Sequence, residues 1–372
     1  MTQSAAPKCP TSPASTPELV TSSARVTWVD TAKGYGIILV VFEHDIRGLI
    51  NGDIMTWTPI TRFIDAWIYA FHMPLFFILS GLFLFRSKEK PWGAFVLDKL
   101  RTIAYPYFVW SVITMLIKAA LGPITTHPYH LSDLPLILYA PIDQYWFLYV
   151  LFILLIAISA LLKLGVSPWV VFVLAILIYP GLLSISSYGW SVLAVTSGMA
   201  IYTALGVIIG RDREHFRIIS AIHVCWLALA VVAGLTVASL AGLPELPYRN
   251  VFQPVFAVSG AVAIVALAVL TDKAKLKATI QFLGRYSLEI YVVHSMASAG
   301  VRIMLLEFAH VSAPTPHLLF GTLAGLYMPI AVVLLFERVG FRFGFTLPKP
   351  APLLTPIEPN FQVNPTRPHP DR

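Results

Sequence analysis

Charged side chains are scarce in this chain. Asp, Glu, Lys and Arg make up 12% of its 372 residues, while 57% are hydrophobic and the mean hydropathy is +0.75. Soluble domains carry roughly 25% charged residues, so a globule folded in water is excluded. Cysteine is nearly absent: Cys9 sits in a polar stretch and Cys225 in an apolar run, which excludes a disulfide framework. No Gly-x-Ser-x-Gly elbow, phosphate loop or dinucleotide fingerprint occurs,, and no period of 20–50 residues repeats. His127 and His130 have no carboxylate or thiol at ligand spacing, so no metal site is expected. Acidic residues are also in deficit, giving a net charge of +7. That excess does not indicate nucleic acid, because its distribution follows the loops between apolar runs.

What the sequence has in quantity is apolar runs of membrane-span length. Ten are read at approximately Gly34–Ile50, Ile60–Phe85, Ile103–Leu121, Trp146–Leu162, Trp169–Leu183, Trp190–Ile209, Ile218–Leu240, Val251–Leu270, Tyr286–Phe308 and Leu319–Phe336. The expected fold class is an all-α polytopic membrane protein with about ten transmembrane helices. With both tails on one side, every Lys and Arg falls on that side except Arg47, Arg62, Lys118, Arg249 and Arg302. Cytoplasmic loops carry such an excess, so both termini are expected in the cytoplasm of a cell whose inner (plasma) membrane holds the protein. Residues 1–24, rich in Ser, Thr and Pro without an apolar core, read as a disordered N-terminal tail and not a signal peptide. Residues 25–344 form the membrane-embedded domain, and 345–372, with eight prolines, read as a disordered C-terminal tail,.

Ionisable groups inside spans are costly and mark function. The first span reads Lys33-Gly-Tyr-Gly-Ile-Ile-Leu-Val-Val-Phe-Glu43-His44-Asp45. Eleven residues at 3.6 per turn is almost three turns, so Lys33 and His44 share one stripe about 16 Å apart along the axis. Glu43 and Asp45 are each rotated by about 100° from it. Glu43 also stands four before Arg47, the favourable order for a helix ion pair. In the second span His72 precedes Pro74, which frees a backbone carbonyl, and Ser80-Gly81 permits close helix approach,. Gly206 and Gly210 form a second close-packing motif, and His223 reads as an interhelical hydrogen bonder,. Arg101 follows a basic loop and is placed to face a phosphate. Glu289, His294 and Arg302 make the ninth span polar enough to line a cavity,.

The stretch from Arg25 through Asp30, Lys33 and His44 resembles the opening motif of acyltransferase family 3 membrane proteins: a basic residue, ten residues, then His. Phe71-His72-Met-Pro-Leu-Phe-Phe-Ile-Leu-Ser80-Gly81 resembles the second-helix signature of the fucose O-acetylase-like branch. Arg101…Pro106-Tyr107, Tyr145-Trp146-Phe147-Leu148 and Phe282 through His294 follow as later landmarks in order. Many members have Arg where this chain has Lys33, and the hydrophilic hydrolase-like domain fused to some members is missing. The resemblance implies transfer of an acyl group, commonly acetyl, from cytoplasmic acyl-CoA to a hydroxyl of a carbohydrate or related cell-surface acceptor, with no metal. It implies that Lys33 and His44 are the basic residue and the histidine of the first-helix motif and that Arg101 contacts the CoA side. On that reading Lys33 and Arg101 hold the nucleotide phosphates and His44 acts as general base, by direct transfer or through a covalent acyl-enzyme on Ser or His. Glu43 or Asp45 is expected to orient the imidazole or support its charge, with His72 contributing from the facing helix, and Asp45, Trp146 and His294 are expected to contact the acceptor. The rival reading is a proton-coupled or sugar transporter, since buried His, Glu and Asp also build proton relays.

Overall fold

The computed structural model describes residues 26–122, 125, 128–179, 192–243, 249–272, 274, 277–341 and 343–348. The N-terminal tail, Arg25, His127, the start of the sixth predicted span and most of the Pro-rich C-terminal stretch lie outside them. The described residues form thirteen α-helices and no strand. These are α1 (Thr27–Asn51), α2 (Pro59–Gly81), α3 (Trp92–Lys99), α4 (Tyr105–Leu121), α5 (Trp146–Lys163), α6 (Pro168–Leu177), α7 (Val192–Gly210), α8 (Arg213–Ala221), α9 (Val224–Ser239), α10 (Arg249–Asp272), α11 (Lys277–Arg285), α12 (Ser287–Ile303) and α13 (Pro314–Arg338).

Among the described residues, eight helical stretches are long and apolar enough to cross a membrane. They are Pro59–Glu89, Trp92–Leu121, Leu131–Lys163, Val192–Gly210, Val224–Gly242, Asn250–Asp272, Ser287–Phe308 and Pro314–Arg338. The fifth predicted span is represented by the short apolar helix α6. The seventh begins later than its hydropathy suggests: Ile218 belongs to the amphipathic helix α8, and the chain breaks at Ile222 before α9 starts. His223 is not interhelical glue. It is exposed and caps α9, its Nδ1 accepting from the Cys225 backbone N–H at 3.3 Å.

Helix α1 has the length of a span but carries Asp30, Lys33, Glu43, Asp45 and Arg47. Its position explains how that is tolerated. It packs against α2, α10, α11, α12 and α13, so protein, not lipid, surrounds its polar groups. Two glycines set the approach to α11. A Cβ on Gly284 would collide with the Asp30 carbonyl and lie 2.9 Å from the Gly34 nitrogen, and one on Gly34 would collide with Ile280. Gly284→Val is therefore expected to force α1 from α11 at a cost of about 1–3 kcal/mol. The measurement is a lowered Tm of the detergent-solubilised protein.

The predicted close-packing motifs join α2 to α7. Cβ atoms at Gly81, Gly206 and Gly210 would strike the backbone of the facing helix at Thr203, Ile78 and Leu82 respectively. Prolines leave backbone carbonyls that side chains from other segments satisfy. Pro74 cannot donate to Ala70 O, and Gln253 Nε2 of α10 supplies the bond at 3.3 Å,. Pro254 likewise leaves Asn250 O, which accepts from Tyr179 OH at 3.1 Å. Beyond α13 the chain folds back on α4. Trp110 Nε1 donates to Gly344 O at 3.0 Å, and Phe345, at the start of the Pro-rich stretch, stacks on the Trp110 ring at 5.1 Å.

Candidate functional site

The half of α1 nearer its C-terminus faces a cavity of about 590 Å³. Its wall includes His44, Asp45, Arg47 and Asn51 from α1, Tyr69, His72 and Met73 from α2, Thr114 and Lys118 from α4, and Trp146 from α5. Tyr291, His294, Ser295 and Arg302 of α12, with Asp143 and Gln144 of the segment before α5, complete the polar lining. Five of the predicted site residues, His44, Asp45, His72, Trp146 and His294, thus meet in one space although they come from four helices.

Glu43 stands behind His44. Its side chain is fully buried, with Oε2 2.7 Å from His44 Nδ1 and Oε1 2.5 Å from Arg47 Nε. The i,i+4 pairing read from the sequence and the support of the imidazole are therefore one arrangement. His44 Nδ1 also lies 3.0 Å from Val40 O. Both neighbours of Nδ1 are acceptors, so that nitrogen carries a proton, and in the neutral imidazole Nε2 keeps its lone pair. Arg47 is held in turn by Asp65, with Nε at 2.6 Å and the second guanidinium nitrogen at 3.1 Å from the two carboxylate oxygens, and it lies over the Tyr69 ring at 4.6 Å. Such a bidentate clamp fixes the plane of the guanidinium.

His72 and His294 are set in the same way. His72 Nδ1 lies 2.8 Å from Ile68 O, and His294 Nδ1 lies 2.8 Å from Tyr291 O and 3.1 Å from Ile290 O. Each of these imidazoles donates to its own helix backbone and directs Nε2 away from it. His294 meets His44 edge to face at 5.1 Å, and its Nε2 accepts from Ser295 Oγ at 3.2 Å. Asp45 does not support His44. It is buried against α13, where Thr322 Oγ1 donates to Oδ2 at 3.2 Å and Gly321 leaves room that a Cβ would fill at 2.5 Å.

The lining also holds the ion pair Lys118 Nζ–Asp143 Oδ2 at 2.6 Å. Tyr129 OH donates to Asp143 Oδ1 at 3.4 Å. Burial, with the Asp143 carboxylate beside it, pushes the Tyr129 phenol up, so it remains a neutral donor,.

Lys33 and Arg101 are not in this wall. Lys33 belongs to the opposite half of α1, and between it and His44 the residues Gly36, Ile37, Val40 and Val41 are buried. There α2 closes on α1, with Phe76 3.0 Å and Leu75 3.1 Å from where a Gly36 Cβ would lie. Arg101 occupies a π-helical turn, Leu100–Ala104, between α3 and α4. Its Nε is buried and finds no partner among the described residues. Sequence reasoning missed Asp65, Tyr69 and Gln144, none of which has a motif to announce it. Among the described residues no group of three His, Cys, Asp or Glu side chains stands close enough to hold a metal ion.

The sequence profile of the Acyltransferase domain of family 3 matches residues 26–335, which is most of the chain and all the elements that build the cavity. The chain belongs to acyltransferase family 3. It is a multi-pass membrane acyltransferase, and the cavity beside His44 is where this family member brings its polar side chains together. No curated protein and no solved structure matches it significantly.

Proposed function

We propose that the protein is a membrane O-acyltransferase of the inner (plasma) membrane. It moves an acyl group, commonly acetyl, from cytoplasmic acyl-CoA to a hydroxyl of a carbohydrate or related cell-surface acceptor. The observation that carries this reading is His44, with Nδ1 committed to Glu43 and Val40 and a quarter of its side chain open to the cavity. In this scheme ten spans place both termini in the cytoplasm, with α1 and the short α6 added to the eight apolar stretches,. Lys33 and Arg101 then face the side where the donor is made. The buried Nε of Arg101, without a partner among the described residues, suits an anionic group such as a CoA phosphate,.

The acceptor hydroxyl gives its proton to His44 Nε2 as its oxygen attacks the thioester carbonyl. The tetrahedral intermediate collapses with loss of the CoA thiolate, and the proton held by the imidazole passes to the sulfur. One ester forms and one thioester breaks, with no oxidant or metal required. Glu43, fixed from behind by Arg47, faces the positive charge that develops on His44,. His72 adds a second imidazole from α2, and Trp146, His294 and Asp45 bound the acceptor's space. The buried apolar stretch between Lys33 and His44 has to part for the thioester to reach the base.

Purified protein in nanodiscs should release free CoA from acetyl-CoA only when an acceptor is present. Surface glycans of cells carrying the gene should gain the mass of one acyl unit relative to cells without it. Uptake of solute into vesicles in the absence of acyl-CoA, with no CoA release, would establish the transporter reading instead.

A further inference from the structure

The turn that carries Arg101 is incomplete without the segment beyond α13. In the π-helical turn Leu100–Ala104, Tyr105 gives its backbone N–H to Leu100 O, five residues back. Arg101 O comes next, and in that register its partner is residue 106, a proline with no N–H to give,. The bond is supplied from elsewhere: the Leu347 N–H donates to Arg101 O at 3.3 Å. The segment that delivers it is anchored on both sides. Tyr105 OH donates to Phe343 O at 2.8 Å, and Trp110 Nε1 donates to Gly344 O at 3.0 Å. The buried Phe345 ring stacks on Trp110 at 5.1 Å and meets Phe336 of α13 at 6.1 Å. Gly344 runs so close to α13 that a Cβ on it would lie 2.5 Å from the Phe336 ring. Apolar cover for α4 would need Phe345 alone; it would not need an N–H aimed at Arg101 O.

We infer that residues 343–347 are a positioning strap for Arg101, completing the π-turn that Pro106 leaves open and so fixing the backbone from which the guanidinium meets the donor. The inference rests on the acyltransferase reading above, in which Arg101 takes a CoA phosphate, and it gives the chain beyond α13 a part in that site. A π-turn holds one residue more than an α-turn. Were it to relax by that residue, Arg101 would swing by about 100° around the axis of α4. The strap opposes that swing by giving Arg101 O a partner only in the π register. Arg101 Nε is buried and finds no partner among the described residues, so the side chain is held ready before its ligand arrives. A guanidinium whose backbone is already fixed loses less freedom on binding an anion, which tightens the complex. Leu347 and Trp110 are therefore positioning residues for the donor, acting through Arg101.

The test uses the full chain in nanodiscs with coenzyme A as the probe, reading its Kd by titration calorimetry and the fold by Tm. Leu347→Pro deletes the single N–H at a residue 38% exposed, and should raise the Kd by about tenfold, the scale of one hydrogen bond. Adding Pro106→Ala supplies an N–H from within the helix and should return the Kd to within about twofold of wild type. In an Arg101→Gln background, Leu347→Pro should shift the Kd no further, because the two act as one unit. Should Leu347→Pro fail to fold, Trp110→Phe keeps the ring stack, releases Gly344 O and should weaken CoA binding in the same direction. A wild-type Kd in both variants, a loss that Pro106→Ala does not relieve, or a full further loss in the Arg101→Gln background would overturn the strap. Wild-type protein that binds no CoA would instead remove the donor reading beneath it.

Discussion

Replacing His44 with alanine is expected to abolish acyl transfer while leaving the protein folded in the membrane. A positioned general base contributes about 10²–10⁴ in rate, and His44 is the cavity imidazole whose Nδ1 a carboxylate orients. The fold should survive because its side chain is a quarter exposed to the cavity, and Glu43 keeps its contact with Arg47 at 2.5 Å. The vacated volume opens into the cavity, so added imidazole should restore part of the CoA release. Membrane extraction and Tm report the fold, and acceptor-dependent CoA release reports the chemistry. Turnover at the wild-type rate would refute the assignment of the base.

Replacing Glu43 with glutamine should also cost a large factor, up to about 10⁴ in kcat, the loss seen when the anion that orients a catalytic imidazole is neutralised. The amide keeps the volume of the carboxylate but removes the charge that faces the imidazolium. It can also offer an N–H to Nδ1, driving the proton to Nε2 and leaving no base toward the cavity. Arg47 does not become an unpaired charge, because Asp65 still holds it at 2.6 and 3.1 Å, so loss of folding should not mask the effect. Rates in the variant, normalised to folded protein by Tm and gel filtration, make the comparison. If Glu43→Gln turns over within twofold of wild type, Glu43 is a structural ion-pair partner only.

Several features were legible in the chain order alone because covalent spacing on one helix decides them. Glu43 and Arg47 are four residues apart and pair; Pro74 removes a donor from Ala70; Gly81, Gly206 and Gly210 mark close contact. The shared stripe of Lys33 and His44 was also legible, but a stripe does not say what fills it. Phe76 and Leu75 of α2 close on α1 between them, so the open space begins only near His44. Asp45 illustrates the same limit. Its neighbour in sequence is His44, yet its partner is Thr322, 277 positions away on α13.

The sequence by itself determined that this is a helical membrane protein, which family it joins, and which side chains are too costly in lipid to be idle. Composition and short-range spacing settle those points, since burying charge in hydrocarbon is unfavourable whatever the fold. Only the tertiary structure decided that His44, His72, His294 and Trp146 surround one cavity and that Asp65 anchors Arg47. In a bilayer most helices are apolar on every side, so hydropathy does not separate the faces that meet protein from those that meet lipid. The partners are chosen by which helices can approach closely, and that choice exists only once they are packed.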